Sequence, residues 1–411
     1  MGITALAQIR PGMVLAEDVR DVNGRLLLSR GKTIGPEHIR VFKIWGVNRV
    51  SVLGALEPEA EARPAVDPQR IEAARRELEP RFRRTDRSHP AVAEMFRTAA
   101  LYRAARDLSF PPEPDLPPAE TAAGDRPPRR DFLEAFMEKE IALPEISTIV
   151  FELNEVIANP LSTADQMAQV IHKSPSLTAL LLKIVNSALY SLPAPVDRVS
   201  LAVTLIGTRE LSALALGLSV ISAFRHIPRR VIDMPRFLEH SLACGIASRL
   251  LAAQKNLRQT EQLFSAGLLH DLGRLILYLF FPDDMLAALR TARREGLCLF
   301  EAERRELGCP HAWIGQVLLK KWHLPLLLEH AACFHHEPEA SPDPLPAAIV
   351  HVSDVLVNAL GIGSSGERLV PPLRPAAWEA LGLPPECLET IASQTAQHLE
   401  AMEFLLRETL S

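Results

Sequence analysis

The side chains best suited to chemistry in this chain are histidines and aspartates gathered after residue 239. His240 stands in a helical run, FLEHSLACGIASRLLA. His270-Asp271 closes a second apolar run, AGLLHDLGRLIL, with Gly273 and Arg274 behind it. His311 follows Gly308-Cys309-Pro310 at the expected start of a helix, and His335-His336 precede a proline-rich break. His351 and Asp354, three apart, share one side of a helix. Imidazole and carboxylate are the ligand set of divalent ions such as Mn, Fe, Ni, Zn and Mg. An adjacent His-Asp pair at a helix end can give one ligand to each of two ions, or its Asp can bridge them. Two neighbouring ions activate a hydroxide between them and clamp a phosphate for in-line hydrolysis. Arg274, one turn after the pair, suits a non-bridging phosphate oxygen.

Each of these residues also has an ordinary role. A histidine on an apolar helix is commonly a core or surface imidazole, and His226, His323 and His330 are read that way. His335-His336 could cap a helix end, where imidazoles favour the dipole. His351 and Asp354 could simply hydrogen-bond. The ordered series of histidines and aspartates within one helical body is what argues for metal.

The elements that must position them follow from proline, glycine and apolar spacing. At about 150 residues per domain, 411 residues suggest two or three domains. Residues 1–55 read as a small α+β domain. Its apolar runs Val14-Leu15-Ala16 and Leu26-Leu27-Leu28 flank an Asp21-to-Gly24 turn, a helix opens at Pro36, and a strand spans Val47–Val52. Residues 56–131 read as two helices followed by a linker at 111–128, where repeated prolines remove N–H donors. From 132 to 411 helix follows helix, without the strand–helix rhythm of a parallel sheet. Ser162 or Thr163 caps one helix, and Pro175-Ser176 opens another whose Leu177, Leu180, Leu181, Ile184 and Val185 share a face.

Composition excludes several classes. A net charge of −5 argues against a polyanion-binding protein, and 5% aromatics are too few for repeated base-stacking platforms. No phosphate loop, Ser-nucleophile elbow or basic recognition helix is visible, so DNA is not an expected partner. Five scattered cysteines fit a reducing compartment. The apolar run Leu211 to Phe224 is too short to span a bilayer, so a cytoplasmic protein without membrane insertion is expected.

Several stretches together resemble a known family. Ser174-Pro175-Ser176-Leu177-Thr178, Lys183 to Ala188, Ala202 to Gly207, Gly267 to Gly273, Glu306-Leu307-Gly308 with His311, Trp322 to Pro325 and His335-His336 resemble the bacterial HDOD domain, the HD-related output domain. The likeness runs from about Leu133 to Gly363. Ile9 to Ala16, Gly31-Lys32 and Trp45-Gly46-Val47 resemble the small domain that precedes HD-GYP phosphodiesterase domains.

The resemblance implies an all-α HD-like body behind a small α+β module. It also implies a signalling role as a regulatory output unit acting through protein–protein contact, with signalling proteins as partners and a homodimer and a nucleotide ligand as further expectations. His240, His270, Asp271, His311, His336 and Asp354 fall where HD-type ligands to one or two divalent ions are expected. The alternative it implies is a metal-dependent phosphohydrolase acting on nucleotides or cyclic dinucleotides, with Asp271 and Arg274 catalytic. After His335-His336-Glu337 the chain runs PEASPDPLP, so the Gly-Tyr-Pro signature of HD-GYP enzymes is missing.

Overall fold

Proline opens many of the helices and a small polar side chain caps several of them. Thr163 accepts the N–H of Gln166 while the Gln166 side chain accepts the N–H of Thr163, closing a capping box. Ser174 caps the next helix at the N–H of Leu177, with Pro175 at its first position. In the computed structural model the described residues are 2–5, 9–20, 26–44, 47, 49–53, 66–110, 116, 148–159, 161–187, 190, 192, 194–222 and 232–400. The expected Asp21-to-Gly24 turn, His226 and all but Leu116 of the proline-rich linker lie outside them.

The N-terminal unit holds strands β1 (Gly2–Ala5), β2 (Val14–Leu15), β3 (Val19–Arg20), β4 (Leu26–Leu28) and β5 (Arg49–Leu53), with helix α1 (Pro36–Ile44) between the last two. β5 is central in an antiparallel β1-β5-β2 sheet, pairing Gly2 with Val52 and Val14 with Leu53, while β3 and β4 form a separate antiparallel pair. Leu15, Ile34, Phe42, Val50 and Val52 are buried together as its own core. β1 and β3 were not anticipated from the sequence. β1 carries GITA, too short and too weakly alternating to announce a strand.

The remainder is helical: α2 (Pro68–Leu78), α3 (Pro90–Arg106), α4 (Thr148–Ala158), α5 (Ala164–His172), α6 (Pro175–Val185), α7 (Val199–Ile206), α8 (Thr208–Ser222), α9 (Met234–Gln254), α10 (Thr260–Leu269), α11 (Leu272–Phe280), α12 (Pro282–Glu295), α13 (Leu299–Leu307), α14 (His311–Lys321), α15 (Leu326–Phe334), α16 (Pro344–Leu360), α17 (Pro375–Leu381) and α18 (Cys387–Glu400). One large hydrophobic core runs through it, and Leu78, Phe82, Val92 and Met95 belong to that core. Helices α2 and α3 are therefore part of the helical body, packed together with α3 against α16 and α18.

α9 and α16 are buried nearly all round, so they sit in the middle of the body. α9 packs most closely on α10 because the crossing is lined by small residues. A Cβ at Gly267 would collide with Ser248 Oγ and the Cys244 carbonyl. Gly273 serves α11 in the same way, since a Cβ there would strike the backbone of His311 in α14. Thr260–Phe280 is apolar and long enough to cross a membrane by composition, yet 89% of its most apolar stretch is buried inside the body and it breaks between α10 and α11.

Candidate metal centre

The break between α10 and α11 delivers His270 and Asp271. His270 caps the end of α10 with helical backbone and Asp271 opens α11 outside it, at the point where α9, α14, α15 and α16 converge. His240 comes from α9, His311 is the first residue of α14, His335 follows α15 and Asp354 lies on α16. None of these six side chains is more than 5% exposed.

Asp271 is the hub. Its Oδ2 lies 3.4 Å from His270 Nε2 and 3.9 Å from His240 Nε2, and Asp354 Oδ1 approaches the same two nitrogens at 3.6 and 3.2 Å. Its Oδ1 points the other way, 2.9 Å from His311 Nε2 and 3.8 Å from His335 Nε2. One carboxylate thus faces two groups of donors, one oxygen to each. The donor atoms of His240, Cys244, His270 and Asp354 lie within 4.8 Å of one another, as do those of His270, Asp271 and His335, and those of His311, His335 and His336.

The imidazoles are oriented as metal ligands are. Nδ1 of His270 donates to the Gly267 carbonyl at 2.7 Å, and Nδ1 of His335 to the Ala332 carbonyl at 2.8 Å. A carbonyl can only accept, so the proton sits on Nδ1 and Nε2 is turned inward. Nδ1 of His311 is 2.5 Å from Glu303 Oε2, which also accepts the His311 backbone N–H at 2.9 Å. Nε2 of His311 and Nε2 of His335 are then two inward nitrogens 3.2 Å apart. Nitrogens each about 2.0–2.1 Å from one ion sit roughly 3.0–3.4 Å apart, so the spacing suits a shared cation. His270 Nε2 is buried with no hydrogen-bond partner, a donor atom of the kind an ion would satisfy.

The electrostatics agree. Burial alone would raise both aspartates, but Arg274, His270 and His311 hold Asp271, and His240 and His270 hold Asp354, well below the usual carboxylate range. Burial would lower His270, yet Asp271 and Asp354 lift it to about 10. His311 is likewise raised, against burial and Arg274, by Glu303 and Asp271. Burial and the neighbouring imidazoles push His335 and His336 well down. The ionised carboxylates therefore favour positive charge among them, which a divalent cation would supply.

Arg274 is drawn into the same network. Its Nη1 donates to Asp271 Oδ2 at 2.9 Å and to Ser365 Oγ at 2.6 Å, and its Nε donates to Glu303 Oε1 at 3.0 Å. Its Nη2 is buried without a hydrogen-bond partner. His336 sits at the edge, stacked on Phe300 with ring centroids 4.3 Å apart, while His335 occupies the interior. His351 donates from Nδ1 to the His335 carbonyl and accepts the Arg374 N–H at Nε2, so it braces the turn that carries His335.

Sequence reasoning named His240, His270, Asp271, Arg274, His311 and Asp354, and the fold brings them together. It chose His336 from the adjacent pair, where the fold turns His335 toward Asp271 and stacks His336 on Phe300, and it passed over Cys244, Glu303 and Ser365 as site residues. Cys244 was legible, being four residues after His240 on one helix; its Sγ lies 3.6 Å from His240 Nε2. Ser365 carried no such signal, because only the return of the loop after α16 brings it to Arg274.

Comparison with known proteins places this geometry in a family. Over 205 residues, 49% of this chain, the sequence is 24% identical to an uncharacterized protein of Treponema pallidum (strain Nichols), and the match takes in 39% of that relative's length. The fold is similar to the solved structure of an HDOD domain protein of Geobacter sulfurreducens, with 22% identity, a TM-score of 0.56, and 68% of this chain and 98% of that one covered. It is also similar to a candidate signal transduction protein of Marinobacter aquaeolei VT8, with 20% identity, a TM-score of 0.54, and 69% and 66% covered. A candidate phosphohydrolase of Shewanella amazonensis SB2B matches with 22% identity, a TM-score of 0.52, and 68% and 98% covered. At these identities the likeness is one of fold. The HDOD domain model itself matches residues 143–338, the stretch that carries His240, His270, Asp271, His311, His335 and His336. That part of the chain is an HDOD domain.

Proposed function

We propose that this chain is a bacterial signalling protein whose HDOD body is a regulatory output module, with a divalent cation at the His/Asp centre setting its packing. The observation that carries this is the division of Asp271, one oxygen toward His240 and His270 and the other toward His311 and His335, inside a fully buried core. His240, His270, Asp271, Asp354, His311 and His335 would hold the ion or ions, with His336 and Cys244 at the margins. A cation there ties α9, the α10–α11 junction, α14, α15 and α16 to one point, so its arrival or loss changes how the helices meet. The signal-transduction name of one similar fold supports this reading, and the small N-terminal unit is then the part that senses or positions.

A second reading, a metal-dependent phosphohydrolase, is favoured by one observation. Arg274 Nη2 is a buried donor without a partner beside Asp271, suited to a phosphoryl oxygen. The cation would supply Lewis acidity, while Arg274 would orient the phosphate and Glu303 hold His311 in place.

Elemental analysis of full-length protein purified without chelator or histidine tag tests both. One or two equivalents of metal, lost in Asp271→Ala, are expected. Absence of metal after reconstitution with Mn, Fe, Ni and Zn overturns both readings. Hydrolysis of a phosphodiester or nucleotide, lost in the same variant, moves the assignment to the enzyme.

A further inference from the structure

The α9 side of the centre has a chemical character of its own. Cys244 lies one turn beyond His240 on α9, so the two side chains share a face. The close crossing at Gly267, where a Cβ would strike the Cys244 carbonyl, brings α10 near enough that His270, three residues on, faces them. Asp354 reaches the same point from α16. All four side chains are buried, and their donor atoms lie within 4.8 Å of one another.

The spacing is that of a coordination shell. Nitrogen and oxygen ligands about 2.0–2.2 Å from a tetrahedral zinc lie roughly 3.3–3.5 Å apart, and a nitrogen and a thiolate at about 2.3 Å lie roughly 3.5–3.6 Å apart. His240 Nε2 stands 3.2 Å from Asp354 Oδ1 and 3.6 Å from Cys244 Sγ, and His270 Nε2 stands 3.6 Å from Asp354 Oδ1. A second observation points the same way. His270 Nε2 is fully buried without a hydrogen-bond partner, its Nδ1 proton being spent on the Gly267 carbonyl. Asn358 Nδ2 donates to Asp354 Oδ1 at 2.7 Å, the outer hydrogen bond that a ligating carboxylate receives. The rival donor is Asp271 Oδ2. It lies farther from His240 Nε2, at 3.9 Å, and already accepts from the Arg274 guanidinium at 2.9 Å, which offsets the charge a cation would seek.

We propose that Cys244 is a thiolate ligand, and that His240, Cys244, His270 and Asp354 form a four-donor site selective for zinc or a similarly thiophilic divalent ion over Mg and Mn. The inference rests on the metal reading above and narrows it. Sulfur sets the selectivity, because a soft thiolate favours zinc-class ions while Mg and Mn prefer oxygen. On binding, the S–H bond breaks, its proton leaves to the buffer, and the metal–sulfur bond forms. Four protein donors close the shell. This half of the centre then ties α9, the end of α10 and α16 together and offers no open position to water or substrate.

The test is cobalt(II) titration of the chelator-stripped full chain, read by absorption, with X-ray absorption at the zinc edge of the zinc-loaded parent. A thiolate-to-cobalt charge-transfer band in the near ultraviolet is expected, erased by zinc and left in place by a large excess of Mg or Mn. Cys244→Ala should lose that band and bind zinc at least about a hundredfold more weakly, beyond what loss of a supporting residue costs, while its metal-free form melts at the parental temperature. The zinc edge of the parent, which needs no variant, should show a sulfur at about 2.3 Å. Metal bound with neither the band nor the sulfur, or a band that survives in Cys244→Ala, overturns the thiolate ligand and leaves the metal reading standing. Mg or Mn that erases the band overturns the selectivity. A parent chain that takes up neither cobalt nor zinc overturns the metal reading, and the thiolate ligand with it.

Discussion

The two histidines 335 and 336 show what one residue's place in a turn decides. Both are buried and adjacent, but the Ala332 carbonyl fixes the His335 ring inward, while Phe300 takes the face of His336. His335→Ala should therefore cost more metal affinity than the about 10–100-fold typical of supporting positions, and His336→Ala less, read by competition with a chelator of known affinity. Equal losses would put His336 among the ligands. The sequence could not separate them, because a neighbouring pair at a helix end leaves open which ring follows the helix and which follows the turn. The other donors were legible for a simple reason. Each lies in an apolar helical run or at its end, where a polar side chain must have a partner.

At the scale of elements, α9 and α10 are joined by more than their small-residue crossing. Arg249 on α9 donates from Nε to Glu261 on α10 at 2.5 Å, and the Tyr190 hydroxyl donates to the other oxygen at 2.8 Å, all three groups buried. Removing one partner strands a charge, so Glu261→Ala should destabilise by about 3–5 kcal/mol, measured as a shift in the urea midpoint with unchanged slope. Since this pair joins the two helices that carry His240 and His270, metal affinity should fall in the same variant. The helices themselves were readable from proline, caps and apolar spacing. The two short strands β1 and β3 were not: β1 is defined by pairing with distant β5, and β3 is two residues long, too short to show alternation although it pairs across the Asp21-to-Gly24 stretch with β4.

Across the whole molecule, buried groups outside the ligand set make stability depend on pH. Burial raises Glu367 to about 7 against the partial relief of Arg274 and three backbone N–H groups. The folded state therefore keeps a proton that the unfolded chain gives up near 4.5, and stability is withdrawn as pH climbs from there to about 7. Glu367→Gln removes that penalty. Its stability relative to the parent should grow over this window, by an amount on the order of 3 kcal/mol, and stay level above it. His398, which burial lowers to about 4, has the opposite slope: its contribution is present above 6.5 and is lost as pH falls toward 4. Chemical denaturation at a series of pH values separates the two, and a flat difference for Glu367→Gln would mean that the carboxyl is ionised throughout.

The reach of the centre along the chain has a further consequence. The HDOD match ends at residue 338, yet Asp354 and Ser365 come from α16 and the loop behind it. A fragment trimmed at the family limit would keep the histidines and Asp271 but forfeit the second carboxylate and the latch on Arg274. Inheritance works on the same ribbon: recombination that swaps this module between signalling proteins yields a complete centre only when the C-terminal segment travels with it. The unit of exchange is then longer than the stretch by which the domain is recognised.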